Sequence, residues 1–351
     1  MDSVVEQYKN IRPLYESFTS KLHQLLEELI ASSDIEIFIM ESRAKSIESF
    51  QGKIERDDKN YEDPINEIPD LSGIRIITYY NKDVDSICKL IAKEFDVDEA
   101  NSVDKRKITE EDRFGYLSSH LIVRLSSIRS QLSEWSYYSS FRTEIQVRSV
   151  LQHSWAAIDH KLRYKTEESI PVYLKRKLYR LSALLELADE EFEAIREISG
   201  KKVEKIKSDL QLSKLDIAID RDSFQSYIDN SETFHKFIAD IEKIGFSIKE
   251  LYSDADLAIS IRIVRSVNFG TLEDIEKIIK QEMSNGAFYQ SLIDDLYGVS
   301  PKQMSMSRAA LIRLAIIGSA SSQKAKKILK GIQFKQKLHE LLLVKKTKNT
   351  A

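Results

Sequence analysis

Three polar side chains near the start of the chain have the types and the spacing to bind a polyphosphate. Lys45, Ser49 and Lys53 are four residues apart, so on an α-helix they would lie one above another on a single ridge. The segment 41–53 is predicted to be such a helix. Two cations and a hydroxyl on one ridge can hold a chain of phosphates through charge-assisted hydrogen bonds. The alternative is an ordinary solvated helix face.

Two acids stand at predicted strands in the middle of the chain. Asp70 directly precedes an apolar strand, and an acid at a strand edge is where an α/β enzyme would hold a metal ion. An aspartate there is also a common turn residue. Residues 143–148 alternate with the period of a strand, which places Glu144, Gln146 and Arg148 on one face. A solvated sheet face would give the same alternation.

A tyrosine and a histidine complete the candidates that the residue pattern offers. Tyr116 follows Gly115 in a polar segment, so its ring could stack on a nucleobase or could be an ordinary core aromatic. From Leu151 the period becomes helical, and His153 falls on one stripe of that helix. A second stripe of the same helix is predicted to face the core: Leu151, Trp155, Ile158 and Leu162.

Four motifs, in order along roughly residues 35–165, resemble those of the RelA/SpoT-type alarmone synthetase domain. They are R-x-K-x-x-x-S-x-x-x-K from Arg43, D-L-x-G-x-R from Asp70, G-Y-x-S-x-H from Gly115 and E-I-Q-V-R from Glu144. Members of that family fold as a mixed β-sheet flanked by helices and related to nucleotidyltransferases. They transfer the β,γ-pyrophosphate of ATP to the 3′-hydroxyl of GDP or GTP and release AMP. The resemblance therefore implies a (p)ppGpp synthetase that uses Mg²⁺.

The resemblance also implies a role for each matching residue. The implied ATP-binding residues, two of them arginines packed on the faces of the adenine, are Arg43, Lys45, Ser49, Lys53 and Arg75. The implied Mg²⁺ ligands and catalytic acids are Asp70 and Glu144, of which Glu144 would also take the hydroxyl proton. The implied acceptor-binding residues are Tyr116, His120, Gln146 and His153.

One departure from the family pattern leaves the acceptor open. Many members carry a lysine four residues before the tyrosine, where it helps to bind the acceptor's phosphates, but this chain has Asp112. Either Arg113 or the basic run 105–107 replaces it, or the acceptor differs. Some small relatives are toxins that modify the 3′ end of tRNA or make adenosine alarmones. A non-catalytic binding module is a third hypothesis, which the intact Asp70 and Glu144 oppose.

The predicted helices and strands that position these residues divide the chain into four parts. They are an N-terminal helix (1–34), the mixed α/β catalytic domain (35–165), a long helical connector that packs on it (166–212) and an all-helical accessory domain of unknown role (213–351). Further predicted helices cover 82–95 and 126–139, and further strands cover 34–40, 74–79, 121–125 and 141–147. The long helix carries a heptad stripe from Leu174 to Ile195, is expected to end near Gly200, and could also pair with a second subunit.

Composition limits the remaining classes. The net charge of −3 excludes a simple nucleic-acid binder. A single cysteine, no leader-like N-terminus and no long apolar run predict a cytoplasmic protein without membrane contact. No His-Asp dipeptide occurs and only about 35 residues precede the motifs, so no alarmone hydrolysis is expected. A homo-oligomer and a protein regulator that acts through the C-terminal domain are left open.

Overall fold

The structure is a computed structural model that describes residues 2–56, 60–104, 118–164, 172–297 and 304–321, with the single residues 325, 340 and 342. It divides into two compact units, Met1–Arg196 and Glu197–Ala351. This boundary falls inside a helix, and the four-part division suggested by the sequence stays a prediction. Among the described residues, no helix is both long enough and apolar enough to cross a membrane.

The first unit is a mixed β-sheet flanked by helices, as expected. Its described strands are β1 (Ile37–Ala44), β2 (Ser72–Thr78), β3 (Phe95–Val97), β4 (Val103–Asp104), β5 (Ser119–Leu125) and β6 (Thr143–Ser149). Its described helices are α1 (Asp2–Ala31), α2 (Ile47–Ile54), α3 (Pro64–Glu67), α4 (Asn81–Glu94), α5 (Ser127–Ser130), α6 (Val150–Tyr164) and the start of α7 (Val172–Gln211). The strand order is β1-β2-β6-β5-β3, with β4 also beside β5. Among the described strand pairs of this sheet, only β2 and β6 run parallel.

The apolar face of this sheet is covered by α1 and α4. Phe18, Leu22 and Leu26 recur every four residues on α1, so they form one stripe that is buried against the strands. The alternating Ile145 and Val147 of β6 meet that stripe from the sheet side. Full burial of each such side chain contributes about 1.5–3 kcal/mol. The polar residues of the strands lie on the opposite face of the sheet.

The predicted helix over 41–53 is wrong in its first half. β1 continues to Ala44 because Glu41 and Arg43 pair antiparallel with Arg75 and Gly73 of β2. The helix α2 begins only after Ser46, which caps it by accepting a hydrogen bond of 3.1 Å from the amide of Ser49. The lysine at position 45 therefore lies in the turn before α2, and the predicted three-residue ridge does not form.

Two further helix predictions need correction. The segment 126–139 is not one helix but the short α5 followed by a 3₁₀ turn at Ser136–Tyr138. Trp135 and Tyr138 are buried there, so tertiary packing rather than helical periodicity places them. On α6, Trp155 is buried as predicted, but Ile158 and Leu162 are 55% and 45% exposed. The predicted core stripe of α6 is therefore wrong beyond Trp155.

The long helix α7 runs to Gln211, beyond the predicted end at Gly200. A glycine costs a helix only about 1 kcal/mol relative to alanine, which is too little to stop one of 40 residues. Part of the heptad stripe is exposed in this chain, with Leu181, Phe192 and Ile195 52%, 52% and 61% accessible.

Polar contacts, rather than the heptad stripe, attach α7 to the sheet unit. The hydroxyl of Ser149 donates to Asp189 over 2.6 Å, and Arg196 donates to both carboxylate oxygens of Asp83 over 2.8 Å. The Arg196 guanidinium also lies 4.5 Å from the ring centre of Tyr80. The middle of α7, from Asp189 to Arg196, is thereby attached beside the ends of β2 and β6.

Asp189 makes this attachment sensitive to pH. Burial raises its pKa from 3.8 to about 7, with help from the nearby charge of Glu193. The folded protein thus retains a proton that the unfolded chain releases, so its stability falls as the pH rises between about 4 and 7. We expect Asp189→Asn to raise the thermal midpoint by about 3 °C at pH 8 and to change it little at pH 4.5. Thermal melts of this variant and of the exposed neighbour Glu190→Gln test this, and equal gains at both pH values would contradict it.

The second unit is helical, with one small sheet that the sequence did not predict. Its described helices are the end of α7, α8 (Arg221–Asn230), α9 (Glu232–Ile244), α10 (Asp254–Ser266), α11 (Leu272–Met283), α12 (Gly286–Tyr297) and α13 (Arg308–Ser319). The strands β7 (Phe246–Lys249) and β8 (Met304–Ser307) pair in parallel, so the expectation of an all-helical domain is corrected. Each strand has only four residues, too few for its alternation to stand out against helical periodicity.

Candidate active site

A cavity of about 300 Å³ opens on the polar face of the first unit's sheet. Its volume is in the range of small-molecule sites. The residues that line it are Glu41, Ser42, Arg43, Asp70, Gly73, Ile74, Arg75, Glu144 and Gln146. Five of them are residues to which the sequence motifs assign a role, brought together from three separate strands and the turn before β2.

The register of the strands explains how these side chains meet. Glu41 of β1 lies opposite Arg75 of β2, which lies opposite Gln146 of β6, which lies opposite His120 of β5. Directly opposed residues of neighbouring strands share a face of the sheet. The polar row therefore crosses four strands, and the predicted alternation of β6 is confirmed.

Asp70 is held between two lysines at one end of the cavity. Nζ of Lys45 lies 2.5 Å from Oδ2 of Asp70, and Nζ of Lys53 lies 2.7 Å from Oδ1. Burial acts to raise the pKa of Asp70, but the hydrogen bonds from Lys45 and Lys53 outweigh it and hold the pKa below its usual 3.8. Although Lys45 is not on the helix, both predicted cations still converge on one point.

Glu144 is held by neighbours on its own face of the sheet. Nδ1 of His120 lies 2.7 Å from Oε1 of Glu144, and Nε2 of Gln146 donates to Oε2 over 3.1 Å. Burial acts to raise the pKa of Glu144, but the His120 hydrogen bond and charge, with Gln146, hold it below its usual 4.5. Since an ionised carboxylate only accepts hydrogen bonds, His120 donates from Nδ1. Its Nε2 lies 2.9 Å from the hydroxyl of Ser118.

Two site residues, Arg148 and Glu41, were not assigned a role from the sequence. Arg148 is buried and donates to the side-chain oxygen of Gln146. Burial, together with the charge of Arg75, lowers the pKa of Arg148 to about 10. Glu41 pairs with Arg75 across 3.0 Å. The alternation of β6 predicts that Arg148 lies on the polar face, whereas Glu41 lies there because β1 extends past Met40 and pairs with β2.

The remaining candidates differ in how far the structure places them. Ser49 is exposed, and its hydroxyl accepts a hydrogen bond from Ser46. It therefore does not form the predicted ridge with Lys45 and Lys53. His153 lies near the polar row, where burial and the charges of Arg148 and Arg75 lower its pKa. The neutral ring can therefore donate and accept one hydrogen bond each. Tyr116 lies outside the described residues, as do Asp112, Arg113 and the basic run 105–107.

The donor set fits Mg²⁺. Asp70 and Glu144 line the same cavity, and the charge of Asp70 acts to raise the pKa of Glu144. Carboxylate oxygens are the ligands that Mg²⁺ prefers, and it is usually bound by one or two carboxylates together with substrate phosphates and water. No group of three or more His, Cys, Asp or Glu side chains suited to a metal occurs in the described part of the chain.

The comparison with protein families agrees with the motifs. Residues 42–169 match the family model described as "Region found in RelA / SpoT proteins". Over these residues the chain is similar to the RelA/SpoT family. The matched region contains α2, α6 and every cavity residue except Glu41, whereas α1 and the whole second unit lie outside it.

Two characterised relatives share this region. GTP pyrophosphokinase YjbM of Bacillus subtilis (strain 168) is 33% identical over 139 residues, which are 38% of this chain and 61% of that protein. GTP pyrophosphokinase YwaC of the same strain is 27% identical over 159 residues, which are 44% of this chain and 71% of that protein. The chain thus matches less than two thirds of the first relative's length.

Solved structures of similar chains include the small alarmone synthetase 1 from Bacillus subtilis. It is 26% identical, with a TM-score of 0.47, and the match covers 56% of this chain and 99% of that one. A GTP pyrophosphokinase family protein from Streptococcus pneumoniae is 24% identical, with a TM-score of 0.44, covering 54% of this chain and 93% of that one.

Proposed function

We propose that this protein transfers the β,γ-pyrophosphate of ATP to the 3′-hydroxyl of GDP or GTP and releases AMP. The observation that carries the proposal is the single cavity in which two ionised acids, Asp70 and Glu144, face the same space as Arg43 and Arg75. The RelA/SpoT match and the two relatives named GTP pyrophosphokinase support the same chemistry.

The phosphates of ATP would be bound at the Asp70 end of the cavity. Lys45 and Lys53 already meet there, with side chains only 11% and 19% exposed. A phosphate oxygen can replace a carboxylate oxygen as the acceptor of their charge-assisted hydrogen bonds. The lysines would then turn from Asp70 to the phosphates, which frees Asp70 to hold Mg²⁺ together with Glu144. When bound, Mg²⁺ would supply charge neutralisation at the phosphates.

The adenine would lie between the two arginines of the cavity. A guanidinium is planar and stacks on aromatic faces. Arg75 is oriented by its 3.0 Å pair with Glu41, and Arg43 lies on the neighbouring strand, opposite Gly73. Gly73, which lies opposite Arg43, has no side chain. A Cβ atom added there would contact the carbonyl oxygen of Arg43 at 3.7 Å.

Glu144 would orient the acceptor hydroxyl and receive its proton. The 3′-oxygen attacks the β-phosphorus, the bond from that phosphorus to the oxygen of the AMP leaving group breaks, and the hydroxyl proton passes to the carboxylate. Its depressed pKa makes Glu144 a weak base. A weak base suits a phosphoryl transfer with a loose transition state, because the acceptor hydroxyl need lose little of its proton before the transition state. His120 and Gln146 hold the carboxylate in place through its two oxygens.

The acceptor would bind on the β6 and α6 side of the cavity. Gln146 and the neutral His153 can offer hydrogen bonds to a sugar or a base, and Tyr116 would stack on the base. Asp112, in place of the family's lysine, leaves tRNA 3′ ends and adenosine nucleotides as the alternative acceptors.

The proposal is tested by supplying the full chain with α-labelled ATP, Mg²⁺ and one acceptor at a time. We expect AMP release and a 3′-pyrophosphorylated product with GDP or GTP, and neither with EDTA. A product on bulk tRNA or on a second ATP, with none on GDP or GTP, would replace the proposed acceptor with the alternative one. No AMP release with any of the four acceptors would overturn the proposed transfer.

A further inference from the structure

Two side chains of α1 converge on one backbone atom of the candidate phosphate site. The hydroxyl of Tyr8 donates a hydrogen bond of 2.7 Å to the carbonyl oxygen of Lys45, and Nε of Arg12 donates another of 3.0 Å to the same oxygen. Tyr8 and Arg12 are four residues apart, so they lie one above the other on α1. A carbonyl oxygen accepts two hydrogen bonds, and here both come from one helix.

The peptide of Lys45 is also fixed from its other end. Its amide donates a hydrogen bond of 2.9 Å to the carbonyl oxygen of Leu71, the residue directly after Asp70. Its side chain bonds Asp70 itself. Lys45 is therefore tied to the Asp70 turn by main chain and side chain, and to α1 by its carbonyl.

The ring of Tyr8 extends this support to the second lysine. Tyr8 is fully buried and stacks on Phe50 of α2, with ring centres 4.3 Å apart and planes inclined by 23°. Phe50 lies one helical turn before Lys53 on α2. Burial raises the pKa of Tyr8 to about 12 although Arg12 acts to lower it, so the hydroxyl stays a donor at neutral pH.

We propose that Tyr8 and Arg12 are positioning residues of the donor-nucleotide site, which set Lys45 and α2 at the spacing needed to hold the phosphates. This inference rests on the proposed pyrophosphate transfer. Both residues lie before residue 42, outside the RelA/SpoT region. The region that matches the family is thus incomplete without α1.

The test compares Tyr8→Phe, Arg12→Met and the double variant with wild type in the full chain. Each single change removes one of the two hydrogen bonds, so we expect the KM for ATP to rise about fivefold in each, and by about fiftyfold or more in the double variant. The KM for the acceptor should stay within twofold. Arg12→Lys, which retains a donor, should recover part of the Arg12→Met loss. Tyr15→Phe is the matched control, since Tyr15 is buried on α1 but stacks on Phe141.

A second readout needs no catalysis. Hydrogen exchange of the Lys45 amide should accelerate about tenfold or more in the double variant, and be unchanged in the Tyr15→Phe control. Arg12→Met alone keeps the buried ring of Tyr8, so it reports on the hydrogen bond even if the double variant is unstable. Unchanged exchange with a KM for ATP within twofold of wild type would overturn the inference. Wild type that releases no AMP, with faster exchange in the variants, would instead overturn the proposed transfer alone.

Discussion

Replacement of Asp70 by asparagine, or of Glu144 by glutamine, is expected to lower AMP release from ATP at least a thousandfold. Both acids have depressed pKa values and face one cavity, so both are ionised at neutral pH. An amide of the same shape keeps the packing but removes the charge that would bind Mg²⁺ beside the phosphates. Losses of about this size follow when a group that acts mainly in the transition state is removed. The measurement is AMP release at saturating ATP, with GDP or GTP as acceptor.

The control for these variants is Asp96→Asn, a loss of the same charge at an exposed site on β3 of the same sheet. Its activity should equal that of wild type. Circular dichroism and thermal melts should show that all three variants are folded. Activity within tenfold of wild type in both Asp70→Asn and Glu144→Gln would remove these acids from the mechanism.

Replacement of Lys45 or Lys53 by methionine should weaken the use of ATP by about a hundredfold in kcat/KM. Methionine keeps most of the volume of the side chain and removes the charge-assisted hydrogen bonds that the phosphates would receive. Both lysines meet at Asp70, so their effects should not be additive. Steady-state kinetics with ATP varied at fixed acceptor measures the loss.

The same variants should change how activity depends on pH. Hydrogen bonds from these lysines oppose the effect of burial on Asp70 and keep its pKa below the usual value. When one lysine is removed, the effect of burial is opposed less, so the pKa of Asp70 rises and activity is lost on the acidic side at a higher pH than in wild type. Lys89→Met, at an exposed position of α4, is the matched control. An unchanged KM for ATP in both lysine variants would show that Lys45 and Lys53 only form structural ion pairs with Asp70 and do not bind ATP.

Local sequence determined much of the sheet unit. Period-two alternation predicted the polar face of β6, and helical periodicity predicted α1, α4 and α6, because each pattern reflects the burial of one face of an element. The motifs located the acids and lysines of the site. Where a short element competes with a longer pattern, the same reasoning fails: residues 213–351 are predicted to be all helical although β7 and β8 lie there, and the first strand is predicted to end at Met40 instead of Ala44.

The geometry of the site was decided by tertiary structure. Lys45 and Lys53 meet at Asp70 because a turn and a capped helix replace the predicted ridge, and the pairing of β1 with β2 is what shortens that helix. His120 reaches Glu144 through the register of β5 on β6, which no local pattern encodes. The two donors from α1 to the Lys45 carbonyl come from residues more than 30 positions away. A local pattern records which face of an element is buried, whereas contacts between elements depend on register, and register is fixed only when the elements pack together.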